Sequence, residues 1–244
     1  ITAEYAATAF CGDDATILLH GLRATAAGAA FANGYAANGI DIDDCAKYTR
    51  GHPGAQLIPA ALAVSEDLGA SGKELLTALV VGYEIAHRTA RCWHDRHDVY
   101  QACGSWGSVA CAAVAANLMG LDKTTIKNAL GIADYHAPNL PMMRDIDHPA
   151  MVKHGIGWGA MNGIVSAELA ARGFTGVPSI LGFEEYRDWV ATLGNEYIMV
   201  DGVSFKRWSS CAWGHPAMFA ALKLVDEYEF HPNTITYLKV FTFH

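Results

Sequence analysis

Apolar stretches rich in small residues alternate along the chain with short polar or glycine-marked breaks. From Ala24 to Gly39 small residues recur (Ala24, Ala26, Ala27, Gly28, Ala29, Ala30, Ala32, Ala36, Ala37), which suits a buried helix approached closely by its neighbours. The acidic turn Asp41-Ile42-Asp43-Asp44 ends it. After His52-Pro53-Gly54 the pattern predicts a helix over Gln56 to Leu68, with Gly69 as its stop. Ser71-Gly72-Lys73-Glu74 reads as a capping box before an apolar stretch, so a long helix is predicted to about Trp93. The polar segment His94 to Asp98 breaks the pattern; an Ala-rich helix resumes near Ser105 and runs to Met119, closed by Gly120. Asp122 caps a helix from Thr124 to about His136.

A loop with Pro141 and Pro149 leads to a long helical pattern from about Met151 to Arg172, stopped at Gly173. Short strands are predicted at Tyr197 to Ser204 and Thr234 to Phe243, with a helix from about Pro216 to Glu229 between them. Ile1 to Phe10 reads as the middle of an uncapped helix, and the last strand has no partner nearby. Both ends therefore carry the expectation of a piece of a longer protein.

Composition narrows the class. Hydrophobic residues make up 52% and charged residues 17%, which excludes disorder and favours a mostly helical globular protein. A net charge of −8, from 17 Lys and Arg against 25 Asp and Glu, leaves no basic face for nucleic acid. An acidic protein that binds an acidic substrate must gather its few cations in one place. The six cysteines (Cys11, Cys45, Cys92, Cys103, Cys111, Cys211) show no CxxC pairing, so free thiols in a reducing cytoplasm are expected. The apolar runs are too short for a bilayer span and no signal peptide opens the chain, so the expectation is a soluble cytoplasmic protein.

Four segments carry candidate chemistry. Asp41 and His52 stand at a helix end and in a Gly/Pro turn, where a carboxylate and an imidazole can form an acid–base pair. The alternative is that Asp43 and Asp44 are solvated turn residues and His52 caps a loop. Tyr100-Gln101-Ala-Cys-Gly-Ser-Trp-Gly107 leads into a helix whose free N–H groups favour an anion, or simply packs closely there. Lys153 lies at the start of an apolar helix, where a cation opposes the dipole unless an anion answers it; the alternative is a snorkelling lysine. Lys206, Arg207, Cys211 and His215 concentrate charge and donors at a strand-to-helix passage. With no second Cys/His pair at ligand spacing, a zinc site is not expected there, and His94 and His97 read as a solvated loop.

Taken in order, these segments resemble the MmgE/PrpD family. The carriers are Ala30-Phe-Ala-Asn-Gly34 before Asp41-Ile-Asp-Asp44, His52-Pro-Gly54, Pro59-Ala-Ala-Leu-Ala63, Gly69-Ala-Ser-Gly-Lys-Glu-Leu-Leu76 and Gly82-Tyr-Glu84. Leu118-Met-Gly-Leu-Asp122, Ala129-Leu-Gly-Ile-Ala133, Gly173-Phe-Thr-Gly176, and Lys206 with Cys211 and His215-Pro216 follow in register. The resemblance implies a mainly α fold: a large all-helical core over residues 1–230, lacking its N-terminal helices, and from 231 to 244 the first strand of a truncated α/β lid. It implies an active site between the two, a homodimer, no cofactor and no metal. Asp41, His52, Lys153 and Lys206 fall on the family's catalytic positions, with Gln101, Cys45, Arg207, Cys211 and His215 as substrate-binding candidates. Members commonly carry histidine where this chain has Gln101, and glutamine can hold a carboxylate but cannot shuttle a proton. The activity implied is that of a lyase on a small citrate-like polycarboxylate, first a 2-methylcitrate dehydratase. A decarboxylase or epimerase of the cis-aconitate or iminodisuccinate type is the alternative, and a non-catalytic helical scaffold stands outside both.

Overall fold

The small-residue stretches become helices that pack with little space between their backbones. A computed structural model of the chain describes residues 1–241. Helix α1 (Thr2–Ala9) is followed by an antiparallel hairpin, β1 (Ala15–Ile17) with β2 (Leu22–Ala24), and then α2 (Ala26–Asn38). The two-residue β3 (Cys45–Ala46) precedes α3 (Gly54–Leu68), α4 (Gly72–Arg96), α5 (Cys103–Leu118), α6 (Lys123–Tyr135), the short α7 (Met142–Asp147) and α8 (Ile156–Ala171). Beyond these lie α9 (Arg187–Ala191), α10 (Met199–Gly202), β4 (Val203–Ser204) and α11 (His215–Tyr228). The protein is mainly α, as its pattern predicts.

Local chemistry sets the boundaries. Ser71 caps α4 through the Glu74 N–H while the Glu74 carboxylate takes the Ser71 N–H at 2.7 Å. Gly69 ends α3 at φ 63°, and the Asp122 carboxylate accepts the N–H groups of Thr124 and Thr125 to start α6. Helix α5 is the hub, packed against α8, α4, α3 and α6, with α2 resting on α8 and α3. Two glycines make this closeness possible. A Cβ at Gly104 would stand 2.1 Å from the Gly155 carbonyl oxygen, and one at Gly107 would stand 1.9 Å from the Gln56 amide. Among the described residues no helix is long and apolar enough to cross a membrane.

Four expectations need correction. The predicted helix over 151–172 begins only at Ile156, because Lys153, His154 and Gly155 take left-handed backbone (φ 34°, 45° and 63°) in a 3-10 turn. Residues 197–204 form a short helix and a two-residue strand instead of one strand, since the N–H groups of Ile198 and Met199 turn inward to the Glu84 carboxylate (3.3 and 2.8 Å). In place of the predicted strand from Thr234, a 3-10 turn ends at Thr234 and Ile235 to Phe241 have no regular structure, since no described strand lies beside them to pair; Thr242 and Phe243 lie outside the described residues. His94 is not in a solvated loop, since α4 continues to Arg96 and the His94 ring reaches the Thr49 carbonyl at 2.8 Å; His97 is exposed just past the helix end, where it stacks on Trp93.

Two connections bring the C-terminal stretch to the core. Strand β4 pairs with β3 in the register Cys45 to Ser204 and Ala46 to Val203. Beneath it Arg88, paired with Glu84 inside α4, donates to the carbonyls of Trp189 (3.0 Å) and Glu196 (3.1 Å) and to the Thr192 hydroxyl (3.2 Å). Both side chains are buried, so the pair and these bonds satisfy charges that would otherwise destabilise the core.

Candidate active site

The loop between α2 and α3 folds around its own carboxylates. Asn38 donates to Asp43 at 2.6 Å, and the Asp44 carboxylate accepts the Gly54 N–H (3.0 and 3.1 Å) and the Tyr83 hydroxyl (2.9 Å). Neither carboxylate is a solvated turn residue: the Asp43 side chain is 4% exposed, and burial pushes the Asp44 carboxyl above its ordinary range. This wrapping aims the Asp44 carbonyl at His52, whose Nδ1–H donates to it at 2.6 Å. A carbonyl can only accept, so Nδ1 carries the proton and the neutral ring keeps its lone pair on Nε2. Burial lowers the His52 pKa, outweighing the nearby charge of Asp43, so the ring is neutral near pH 7. Its Nε2 stands 4.0 Å from an Asp41 oxygen.

Strand β4 delivers Lys206 to the same loop. Its ammonium donates to Asp41 Oδ1 (2.7 Å), the Asp41 carbonyl (2.9 Å) and Asp43 Oδ1 (3.1 Å). Burial alone would lower the Lys206 pKa, but Asp41 and Asp43 outweigh it and raise it. Burial likewise pushes the Asp41 carboxyl up, and Lys206 more than reverses the effect. Lys206 is thus a charged brace behind Asp41, with its side chain 1% exposed.

In front of this brace lies a cavity of about 810 Å³, within the roughly 300–1,000 Å³ typical of small-ligand sites. Asp41, Cys45, His52, Lys153 and Cys211 line it, with Arg50 and Lys47 adding positive charge and Met142, Ile146 and Trp213 apolar wall. Lys153 forms no ion pair among the described residues, although its charge acts on Asp41. Cys45 is a neutral thiol wall, its pKa pushed up to about 11 by burial. Backbone strain concentrates here: of the six non-glycine residues with positive φ among the described residues, Asp41, Arg50, Lys153 and His154 line this cavity. Each such residue costs about 1–3 kcal/mol, and such cost gathers at functional sites.

Of the residues singled out in the sequence, the structure gathers Asp41, Cys45, His52, Lys153 and Cys211 around one cleft and sets Lys206 just behind it. Three other candidates lie elsewhere. Gln101 does not line the cavity; its side-chain oxygen accepts the Leu140 N–H at 2.7 Å and pins the loop before α7. Arg207 is exposed and lies over the Trp208 ring, and His215 packs edge-on against the same ring at 5.0 Å. Reading from sequence missed His154 and Asp145, both in the cavity wall. Gly155 after His154 was the available signal, since a left-handed glycine there turns the preceding side chains toward the cavity instead of along α8.

Asp41, His52 and His154 offer ligand atoms within 4.8 Å of one another, the spacing from which a metal site could be drawn together. The chemistry of the set opposes it. Asp41 is already neutralised by Lys206 at 2.7 Å, and Lys153 adds a further cation, so a divalent ion would have to displace an ammonium against repulsion. The arrangement suits an anion better: a lysine with no ion pair among the described residues and a neutral imidazole line the cavity, beside a carboxylate braced by Lys206.

Residues 1–196 match the profile of the MmgE/PrpD N-terminal domain. The human cis-aconitate decarboxylase is 32% identical over 163 residues, which cover 64% of this chain and 33% of that protein. The mouse cis-aconitate decarboxylase is 31% identical over 160 residues (63% and 32%), and the cis-aconitate decarboxylase-like protein oryM of Aspergillus oryzae 29% over 162 (62% and 33%). The match thus spans about a third of the length of each of these relatives.

Proposed function

The chain belongs to the MmgE/PrpD family, and on that premise we propose that it forms the helical wall of a cofactor-free lyase site for a small polycarboxylic acid. In this reading residues 1–230 form the helical core, those from 231 begin the lid, and the site works within a homodimer. The observation that carries it is the convergence of His52, Asp41 and Lys153, which forms no ion pair among the described residues, on one strained cavity braced by Lys206.

Lys153 neutralises a substrate carboxylate. The Nε2 lone pair of His52 takes or passes a proton beside it, and Asp41, fixed by Lys206, steadies the imidazolium that forms. Charge that develops on an enolate-like transition state is met by fixed cations, each contact worth about 2–4 kcal/mol. The names of the relatives favour carbon dioxide as the leaving group, with a cis-aconitate-like acid as substrate. Dehydration of 2-methylcitrate, the first expectation of the sequence resemblance, is the second reading.

The intact protein assayed against cis-aconitate, 2-methylcitrate and iminodisuccinate, with products read by NMR, tests this. Turnover of cis-aconitate is expected, and His52→Ala should lower kcat/KM by about 10²–10⁴. Turnover of only 2-methylcitrate would move the assignment to the dehydratase; turnover of none, or full activity of His52→Ala, would overturn the reading.

A further inference from the structure

The scheme above uses one imidazole, yet two stand in the cavity. His154 stacks on His52 with ring centroids 5.5 Å apart and 21° between planes. Its Nδ1–H donates to Asp145 Oδ2 at 2.9 Å, and its backbone N–H donates to the same oxygen at 3.0 Å. Nδ1 is thereby committed, and Nε2 is left as the nitrogen able to exchange a proton. The ring is 9% exposed, so it is neither a surface residue nor a closed part of the core.

The backbone shows what holds it there. Lys153 and His154 are consecutive non-glycine residues in left-handed conformation, an arrangement that persists only where surrounding contacts fix it. Asp145 supplies that grip from α7, a six-residue helix with no buried residue of its own. The strained turn therefore presents the ammonium of Lys153 and the imidazole of His154 to the same cavity. Gln101, by contrast, is occupied with the Leu140 N–H and carries no proton.

We propose that His154, oriented by Asp145, is the second proton-carrying group of this site, working beside His52; the proposal rests on the lyase reading above. In decarboxylation the bond to the departing carboxylate breaks, its electron pair moves through the adjacent double bond, and the carbon at the far end takes a proton from the His154 imidazolium. Carbon dioxide leaves, and the His154 ring recovers its proton from water by way of His52, which stacks beside it. In dehydration His52 takes the C–H proton, the C–O bond breaks, and the hydroxyl leaves as water with the proton of His154.

The intact protein tests this with two variants whose backbones suit positive φ. His154→Asn can still donate to Asp145, and His154→Gly leaves room for added imidazole. Steady-state turnover of the acid that the wild type consumes is measured with and without imidazole, alongside binding of the unreactive tricarballylate. Both variants should lose 100-fold or more in kcat and keep tricarballylate affinity within threefold, and imidazole should restore His154→Gly at least tenfold. Turnover within threefold of wild type in His154→Asn overturns the proposal, as does parallel loss of turnover and affinity without imidazole rescue. A wild type that neither binds tricarballylate nor turns over any of the three acids removes the lyase reading itself, a result distinct from both.

Discussion

Helices α5 and α11 are similar in length and both rich in alanine and apolar residues, yet their surroundings are opposite. In α5, 14 of 16 residues are buried; in α11 none of the 14 is, and Phe219 and Leu222 stand 55% and 53% exposed. The difference lies in the neighbours: α5 has helices on every side and glycines at 104 and 107 that admit them, whereas α11 touches little beyond the turn that precedes it. Periodicity reports that a segment can be a helix; burial depends on partners that arrive from elsewhere in the chain. The candidate site lies along this boundary, with its wall from the helical core and its brace, Lys206, from the loosely packed C-terminal stretch.

Substitutions on the two sides should separate sharply. Trp106→Ala empties a fully buried position in α5 and should cost about 3–5 kcal/mol by urea unfolding. Glu84→Ala should cost a similar amount, about 3–5 kcal/mol, by leaving Arg88 unpaired in the core. It should also raise amide hydrogen exchange across residues 189–206, which that pair ties down. If those amides stay as protected as in the wild type, the pair does not seat the C-terminal stretch.

A smaller effect should follow pH. Burial lowers the pKa of His52, of His87 and of His94 below 6.5 in the folded chain. The unfolded chain then binds more protons between those values and 6.5, so stability is held above pH 6.5 and lost as pH falls through the folded values. A melting temperature that falls steadily between pH 7 and 5 is expected; a flat or rising profile contradicts it. The smallest effect belongs to Phe219→Ser in α11, expected within about 0.5 kcal/mol of wild type. A cost above 2 kcal/mol would show that α11 is packed in solution and erase the contrast.

Much of this was legible in the residues, for identifiable reasons. The capping box at Ser71 and the stops at Gly69 and Gly120 act locally, so α3, α4 and α5 follow from sequence within a few positions. Asp41, His52 and Lys153 could be singled out because charged groups beside Gly/Pro turns are few in this chain. What could not be read depends on contacts across long separations. The grip of Asp145 on His154, the inward turn of Ile198 and Met199 to Glu84, and the pairing of β3 with β4 leave no periodic trace. Gln101 shows the converse: its position in the pattern suggested a ligand contact, whereas its carboxamide serves the backbone of Leu140.

Lys153, which forms no ion pair among the described residues, faces the cavity proposed to receive carboxylates. Calorimetric titration of the intact protein with tricarballylate, at low and high salt and in wild type and Lys153→Met, tests it most directly. Saturable binding that weakens with salt and falls at least tenfold in Lys153→Met is predicted. Absence of saturable binding, or affinity indifferent to that substitution, would contradict it.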